Sequence, residues 1–235
     1  MLAIKVGTKL GGIMQKFLIQ LCVFGFLSTA ATLAQAQENS ESEREIATFA
    51  GGCFWCVEEG FEKLPGVYEA ISGYTGGRER NPTYEQVAGG RTGHTEAVQV
   101  FYNPNVIEYA GLLEAFWRFM DPTDSEGQFV DRGQQYRAEI FYHNDTQKAL
   151  AEASVRKLAA EGPFESPIVT PVTRLGRFYR AEGYHQDYYS KNPIRYRFYT
   201  RNSGRYQFVE YWWGDAAKQD FQQFKNEDLL SQWGE

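Results

Sequence analysis

Residues that bind metals or form cross-links are scarce in this sequence. Its 235 residues include three cysteines and three histidines. A structural zinc site needs about four ligands, and His94, His143 and His185 show no paired spacing with Cys53 and Cys56. A disulfide between these two cysteines would close only a few residues and would restrict the unfolded chain little. A zinc centre and a disulfide-stapled scaffold are therefore disfavoured.

A long apolar run occurs at the start of the chain, where "FLIQLCVFGFLSTAATLA" follows three lysines. The small residues Ala34 and Ala36 then offer a cleavage site, so residues 1–36 are predicted to be a secretory signal peptide cut after Ala36. A start at Met14 would give a signal of more ordinary length. The alternative is an uncleaved membrane anchor, but polar residues such as Gln20 interrupt the run.

Blocks of basic residues are lacking after residue 36. Removal of the signal takes away three lysines and no acid, which moves the formal net charge from −6 to −9. Nucleic acids and anionic membrane surfaces attract basic patches. We therefore expect neither nucleic acid binding nor stable membrane association once the signal is cleaved.

The rest of the chain has the composition of a globular domain, with 43% hydrophobic and 16% aromatic residues, and it is long enough to bury one sizeable core. Short strand patterns alternate with helical ones, including a long amphipathic helix predicted from Tyr109 to Met120. The predicted order is β-α-β-β-α-β followed by an α-β pair. This order is typical of an α+β, ferredoxin-like (split βαβ) two-layer sandwich with an added helix and strand.

Cys53 and Cys56 lie in "AGGCFWCVEEGF", where the first strand pattern gives way to a helix. A thiol at a helix start is close to the positive end of the helix dipole, which favours the nucleophilic thiolate. Redox chemistry is therefore the preferred interpretation of this pair. A structural disulfide and a metal site remain as alternatives.

A wider set of motifs surrounds the pair, in a fixed order along the chain. They are "GGCFWCVE" (51–58), "SGYTGG" (72–77), "NPTYEQV" (81–87), "TGHTEAV" (92–98), "FWRFMDPTD" (116–124), "DRGQQYRAEIFYHN" (131–144) and "HQDYYSKNP" (185–193). Together they resemble the peptide methionine sulfoxide reductase A family, in the subgroup whose signature is GCFWC. The resemblance implies a catalytic domain over residues 45–200, preceded by a flexible leader (37–44) and followed by a C-terminal extension (201–235).

The resemblance also implies roles for individual residues. Cys53 attacks the sulfoxide sulfur, Glu96 is the acid that faces the oxygen, and Cys56 resolves the sulfenic acid that forms on Cys53. Tyr84 and Tyr136 correspond to the two phenols that hydrogen-bond the oxygen. Phe54 and Trp55 correspond to the pocket that receives the methyl group of the substrate. Asp131 belongs to the nearby polar network, and His185 is interpreted as a structural hydrogen-bonding residue.

The predicted reaction is the reduction of methionine S-sulfoxide, free or in oxidised proteins, without metal or organic cofactor. A Cys53–Cys56 disulfide would then be reduced by a thioredoxin-like donor. The signal peptide implies a periplasmic location, and we expect a monomer. Two other functions are weighed against this one: a periplasmic thiol–disulfide exchange protein that uses the C-x-x-C pair, and a secreted binding domain with a structural disulfide.

Overall fold

The computed structural model describes residues 44–234, and its centre is a six-stranded sheet with the strand order β7-β6-β1-β3-β2-β8. Its strands are β1 (Glu45–Gly51), β2 (Val67–Thr75), β3 (Thr95–Tyr102), β6 (Ala138–Tyr142), β7 (Val172–Arg174) and β8 (Tyr179–Arg180). A separate two-stranded hairpin pairs β4 (Gly127–Gln128) with β5 (Asp131–Arg132). Strand β7 runs parallel to β6, and the other pairs in the sheet are antiparallel.

The order β6-β1-β3-β2 confirms the predicted split βαβ arrangement, because β1 lies between β3 and β6 instead of beside β2. The residues Ala47 to Gly51 of β1 are all buried, as expected of a strand with a neighbour on each side and cover on both faces. The added α-β pair is also present, since a helix follows β6 and leads to β7. The fold is therefore α+β, as predicted.

Eight α-helices lie within the described residues. They are α1 (Phe54–Glu62), α2 (Tyr84–Ala88), α3 (Tyr109–Phe116), α4 (Asp145–Glu161), α5 (Tyr188–Lys191), α6 (Pro193–Asn202), α7 (Arg205–Trp213) and α8 (Asn226–Trp233). Helices α1 and α3 cover the same face of the sheet, because the Phe49 ring of β1 packs against both Phe61 of α1 (4.9 Å between ring centroids) and Phe116 of α3 (5.0 Å). These aromatic contacts form the middle of the core.

Helix α3 is shorter than predicted and ends at Phe116. The backbone continues in tighter turns, in which the amide of Arg118 donates to the carbonyl of Ala115 and the amide of Phe119 to that of Phe116. Met120 is nevertheless fully buried. Apolar spacing in the sequence therefore indicated burial correctly but could not distinguish a regular helix from a run of i→i−3 turns.

The C-terminal segment packs against the domain through α8, which contacts α4. Leu229 of α8 and Phe221 before it are buried, and the Arg156 guanidinium of α4 donates to the carbonyl of Trp233. The proposed boundary at residue 200 stays a prediction. The predicted signal peptide and most of the leader lie outside the described residues, and no helix within residues 44–234 is long and apolar enough to cross a membrane.

Glu58 of α1 is fully buried, and its Oε1 accepts a hydrogen bond from the Asp187 amide (3.1 Å), while its Oε2 has no partner within residues 44–234. Burial raises the pKa of this carboxyl to about 8. The folded protein therefore keeps a proton on Glu58 that the unfolded chain releases above about pH 4.5, so folding loses stability as the pH rises from there to about 8.

We expect Glu58→Gln, which removes this ionisation, to gain stability relative to the parent protein as the pH rises. The difference in melting temperature should grow by about 5 °C between pH 5 and pH 8. Thermal unfolding across this range measures it, with Glu69→Gln at an exposed position as the control. A difference that does not change with pH would show that Glu58 ionises normally in the folded protein.

Candidate active site

Neighbouring strand ends bring the predicted site residues together. Cys53 lies two residues after the end of β1 and is the N-cap of α1, and Glu96 is the second residue of β3. Tyr136 ends the short 3-10 helix Gln134–Tyr136, which leads into β6. Because β1 pairs antiparallel with both β3 and β6, the last residues of β1 lie beside the first residues of β3 and β6. The three segments therefore come together at the same edge of the sheet, where β1 ends. The sheet therefore positions a thiol, a carboxyl and a phenol at one place.

A cavity of about 110 Å³ opens at this edge. It is lined by Cys53, Phe54, Trp55, Tyr84, Glu96, Asp131, Tyr136 and Tyr199. Seven of these eight residues belong to the predicted set. Cys56 does not line the cavity and lies one turn farther along α1, while Tyr199 is a lining residue that the sequence analysis missed.

The two thiols are free and almost fully buried, with 5% of Cys53 and 7% of Cys56 exposed. Burial raises the pKa of the Cys53 thiol, and the neighbouring Cys56 thiol acts in the same direction. Hydrogen bonding with Cys53 lowers the pKa of Cys56, and the charge of Arg205 acts in the same direction. In the resting site Cys53 is therefore held as a thiol, contrary to the expectation that the helix start alone would favour its thiolate.

Glu96 is held in a protonated, hydrogen-bonding state. Its Oε2 accepts a hydrogen bond from the Phe54 amide (3.0 Å), one of the unpaired N–H groups at the start of α1. Only 2% of Glu96 is exposed, and burial raises the pKa of its carboxyl to about 8. At neutral pH Glu96 is therefore mostly neutral and can donate its proton into the cavity.

Tyr84 is the first residue of α2, which begins with a capping box formed by Thr83 and Gln86. The Tyr84 amide donates to Glu182 Oε1 (3.0 Å), and the Tyr74 hydroxyl donates to Glu182 Oε2 (2.7 Å). Burial raises the pKa of Tyr84, as it does that of Tyr136. Both phenols therefore remain protonated donors at any physiological pH. Glu182, which fixes this wall, gave no signal in the sequence.

Asp131 lies in β5, and its Oδ2 accepts a hydrogen bond from the Tyr199 hydroxyl of α6. Burial raises the pKa of the Asp131 carboxyl, although the Tyr199 hydrogen bond and the charge of Arg205 oppose the shift. Arg205 is itself buried and donates to the Gly51 carbonyl (3.1 Å). This polar network joins α6 and α7 to the end of β1.

The Trp55 indole is fixed on two sides. Its ring stacks on Tyr188 of α5, with 3.8 Å between the centroids and 8° between the planes. Its Nε1 donates to His185 Nδ1 at 3.2 Å, and burial lowers the pKa of His185, which favours the neutral acceptor. The structural hydrogen-bonding role predicted for His185 is confirmed. Phe54, whose ring centroid lies 5.0 Å from that of His185, completes an aromatic wall.

A group of carboxylates lies outside the cavity, where Glu58, Glu62 and Asp187 bring oxygen atoms within 4.8 Å of one another. Oxygen ligands of this kind suit hard cations, but none of the three residues lines the cavity. Within the cavity itself, the Cys53 thiol, the neutral carboxyl of Glu96 and several phenols face a small space with an aromatic wall. This set can attack an electrophilic atom and protonate an oxygen bonded to it.

A family model, sequence relatives and solved structures all relate this chain to proteins that reduce methionine sulfoxide. The sequence model of the family described as peptide methionine sulfoxide reductase matches residues 45–217. The peptide methionine sulfoxide reductase MsrA of Bacillus subtilis is 56% identical over 172 residues, which are 73% of this chain and 97% of that protein. MsrA 2 of Staphylococcus aureus strain Mu50 is 48% identical over 172 residues, with 73% and 97% covered.

Two solved structures are similar in fold. The crystal structure of Mxr1 from Saccharomyces cerevisiae in reduced form has a TM-score of 0.61 and 34% identity, and the match covers 65% of this chain and 87% of that one. Methionine sulfoxide reductase A of Corynebacterium diphtheriae has a TM-score of 0.58 and 34% identity, with 65% and 76% covered. The chain therefore belongs to the peptide methionine sulfoxide reductase family of oxidoreductases.

Proposed function

We propose that this protein reduces methionine S-sulfoxide, free or in oxidised proteins, by attack of Cys53 on the sulfoxide sulfur. The observation that supports this proposal best is the cavity in which Cys53 faces the neutral carboxyl of Glu96. Sulfoxide oxygen is a poor leaving group unless it is protonated or strongly hydrogen-bonded as the S–O bond weakens. A nucleophile and an acid in one small cavity meet both requirements.

The first step reduces the substrate and oxidises Cys53. The Cys53 sulfur attacks the sulfoxide sulfur while Glu96 donates a proton to the oxygen, and Tyr84 and Tyr136 hydrogen-bond the same oxygen. An S–S bond between Cys53 and the substrate forms as the S–O bond breaks, and the oxygen leaves as water. Water then attacks the Cys53 sulfur and breaks this S–S bond, so that methionine leaves and Cys53 becomes a sulfenic acid, the first rung of thiol oxidation. The thiol proton of Cys53 is transferred in exchange, so Glu96 recovers its proton by the end of the step.

The cavity wall selects the substrate side chain. Phe54 and Trp55 present an aromatic surface that fits a methyl group bonded to sulfur. The stacking of Trp55 on Tyr188 and its hydrogen bond to His185 hold this surface in one orientation before substrate arrives. Preorganisation of this kind lets binding of the methyl group bring the sulfoxide sulfur to Cys53.

The second step is resolution of the sulfenic acid by Cys56. The Cys56 thiol attacks the Cys53 sulfur, water leaves, and a Cys53–Cys56 disulfide forms. The two residues are three apart at the start of α1, so the reaction needs only local unwinding of one turn. The lowered pKa of Cys56 favours its thiolate and hence this attack.

An external dithiol then has to reduce the disulfide, because no other cysteine lies within residues 44–234. We assign this role to a thioredoxin-like domain, and no metal or organic cofactor is required for the cycle. If residues 1–36 direct export, enzyme and donor meet in the periplasm. A monomer suffices, since every lining residue of the cavity comes from one chain.

The function is tested by offering each epimer of N-acetyl methionine sulfoxide to the purified protein with dithiothreitol. We expect consumption of the S epimer alone, measured by chiral chromatography, with dithiothreitol but no enzyme as the control. Turnover of neither epimer by folded protein with two free thiols would overturn the proposal. Reduction of protein disulfides instead would favour the thiol–disulfide exchange alternative.

A further inference from the structure

Helix α6 combines an inner face that belongs to the active site with an outer face that has no partner within residues 44–234. On the inner face, Tyr199 lines the cavity, and Tyr196 packs in one cluster with Cys56 and donates its hydroxyl to Glu59. On the outer face, Ile194 is 86% exposed and Phe198 is 73% exposed. These two are one turn apart and therefore form a continuous apolar strip.

The charge of α6 is opposite to that of the whole chain. The helix "PIRYRFYTRN" contains Arg195, Arg197 and Arg201 and no acidic residue, whereas the chain carries a net charge of −6. All three arginine side chains are exposed, and none forms an ion pair or a side-chain hydrogen bond within the part of the chain that the structure describes. No basic block was predicted after residue 36, because aromatic, apolar and hydroxyl residues separate these arginines in the sequence.

The position of Arg195 relates this helix to the substrate. Arg195 precedes Tyr199 by four residues, so the two side chains emerge about 5–6 Å apart on the helix surface, and Tyr199 lines the cavity. A methionine sulfoxide in a polypeptide can enter the cavity only if the neighbouring peptide residues lie across the rim of the cavity. Arginine clusters beside an apolar contact are a recurring way to bind acidic peptide segments.

We propose that the outer face of α6, formed by Ile194, Arg195, Arg197, Phe198 and Arg201, binds oxidised polypeptides whose sulfoxide is flanked by acidic and apolar residues. This inference depends on the proposed function, since it names a class of substrate for the same cavity. The arginines attract the flanking carboxylates, and the apolar strip contacts the peptide beyond them. Free methionine sulfoxide is too small to reach either feature.

Two synthetic peptides test the proposal, and each contains one central methionine sulfoxide. In the acidic peptide the sulfoxide is flanked on both sides by Glu and Leu, and in the basic peptide it is flanked by Lys and Leu. With dithiothreitol as reductant at low ionic strength, we expect kcat/KM to be about tenfold higher for the acidic peptide, because three charges each contribute modestly. About 1 M salt, at which the Debye length is about 3 Å, should remove most of this preference.

The variant Arg195→Gln/Arg197→Gln/Arg201→Gln should lose the preference while reducing N-acetyl methionine sulfoxide as the parent does. Arg44→Gln/Arg174→Gln/Arg180→Gln removes the same charge elsewhere and should keep the preference. Phe198→Ser, at an exposed position, should lower kcat/KM for both peptides about threefold and leave the free amino acid unaffected.

Equal kcat/KM for the two peptides, or a preference that survives the triple variant, would overturn the proposal. A defect of the triple variant that appears only when bacterial thioredoxin replaces dithiothreitol would assign the face to the electron donor and would also overturn it. Failure of the parent protein to reduce N-acetyl methionine sulfoxide is a different result, because it would contradict the proposed function itself.

Discussion

Cys53→Ser should abolish sulfoxide reduction, including the first turnover, whereas Cys56→Ser should leave the first turnover intact. Cys53 is the thiol that lines the cavity, and Cys56 lies one turn away from it. Without reductant, Cys56→Ser should therefore produce about one equivalent of methionine per enzyme and stop with a sulfenic acid on Cys53. The parent protein should also produce one equivalent, but it should stop as a disulfide.

Intact mass spectrometry separates these products. The parent protein loses two hydrogens, whereas Cys56→Ser gains one oxygen or, with dimedone present, forms an adduct on the peptide that contains Cys53. Turnover driven by a protein dithiol should be lost in Cys56→Ser, because no disulfide is offered to the donor. A first turnover by Cys53→Ser, or its absence in Cys56→Ser, would reverse or refute the division of roles between the two thiols.

The substitution Glu96→Gln should lower kcat/KM for N-acetyl methionine sulfoxide by about 10²–10³. Glutamine keeps the hydrogen bond that the Phe54 amide donates, but it has no acidic proton to give to the sulfoxide oxygen. In the parent protein the acid form of Glu96 is present below its pKa of about 8 and is lost above it. The rate of oxygen transfer should therefore fall as the pH rises through about 8, and Glu96→Gln should lack this descending limb.

Glu58→Gln is the matched control for this pH profile, because burial also raises the pKa of Glu58 to about 8 but Glu58 does not line the cavity. Single-turnover rates between pH 6 and pH 9.5, measured without reductant, exclude any effect of pH on the donor. Retention of the alkaline limb in Glu96→Gln, or its loss in Glu58→Gln, would show that another group supplies the proton.

The fold and the reactive cysteine pair were predictable from local signals, and most of the other cavity residues were predictable from the family resemblance. A strand that runs into a helix start at Cys53 is visible within about ten residues, and seven of the eight predicted site residues line one cavity. Their catalytic roles remain predictions. The resemblance to a known family contributed Tyr84, Tyr136 and Asp131, none of which stands out by periodicity among fifteen tyrosines and many acids.

The contacts that hold the site in shape were not predictable. His185 belongs to no local sequence pattern, yet it accepts a hydrogen bond from Trp55, 130 positions away in the sequence. Tyr199 likewise donates a hydrogen bond to Asp131, 68 positions away. Such pairs depend on how α5 and α6 fold back over α1, which no spacing within either segment encodes. The raised pKa of Cys53 was missed for a related reason, since the dipole of a helix is evident from sequence and the dryness of a cavity is not.

The central place of β1 in the sheet also determines when catalysis can begin. This strand is the first of the sheet in the chain, yet its hydrogen bonds go to β3 and to β6, which ends at Tyr142. Pairings between distant segments form slowly because a long loop has to close first. Cys53, Glu96 and Tyr136 therefore meet only after about three-fifths of the chain has been synthesised, because β6 ends at residue 142 of 235. During refolding, the recovery of activity should accordingly report closure of the whole sheet, and not the earlier formation of α1.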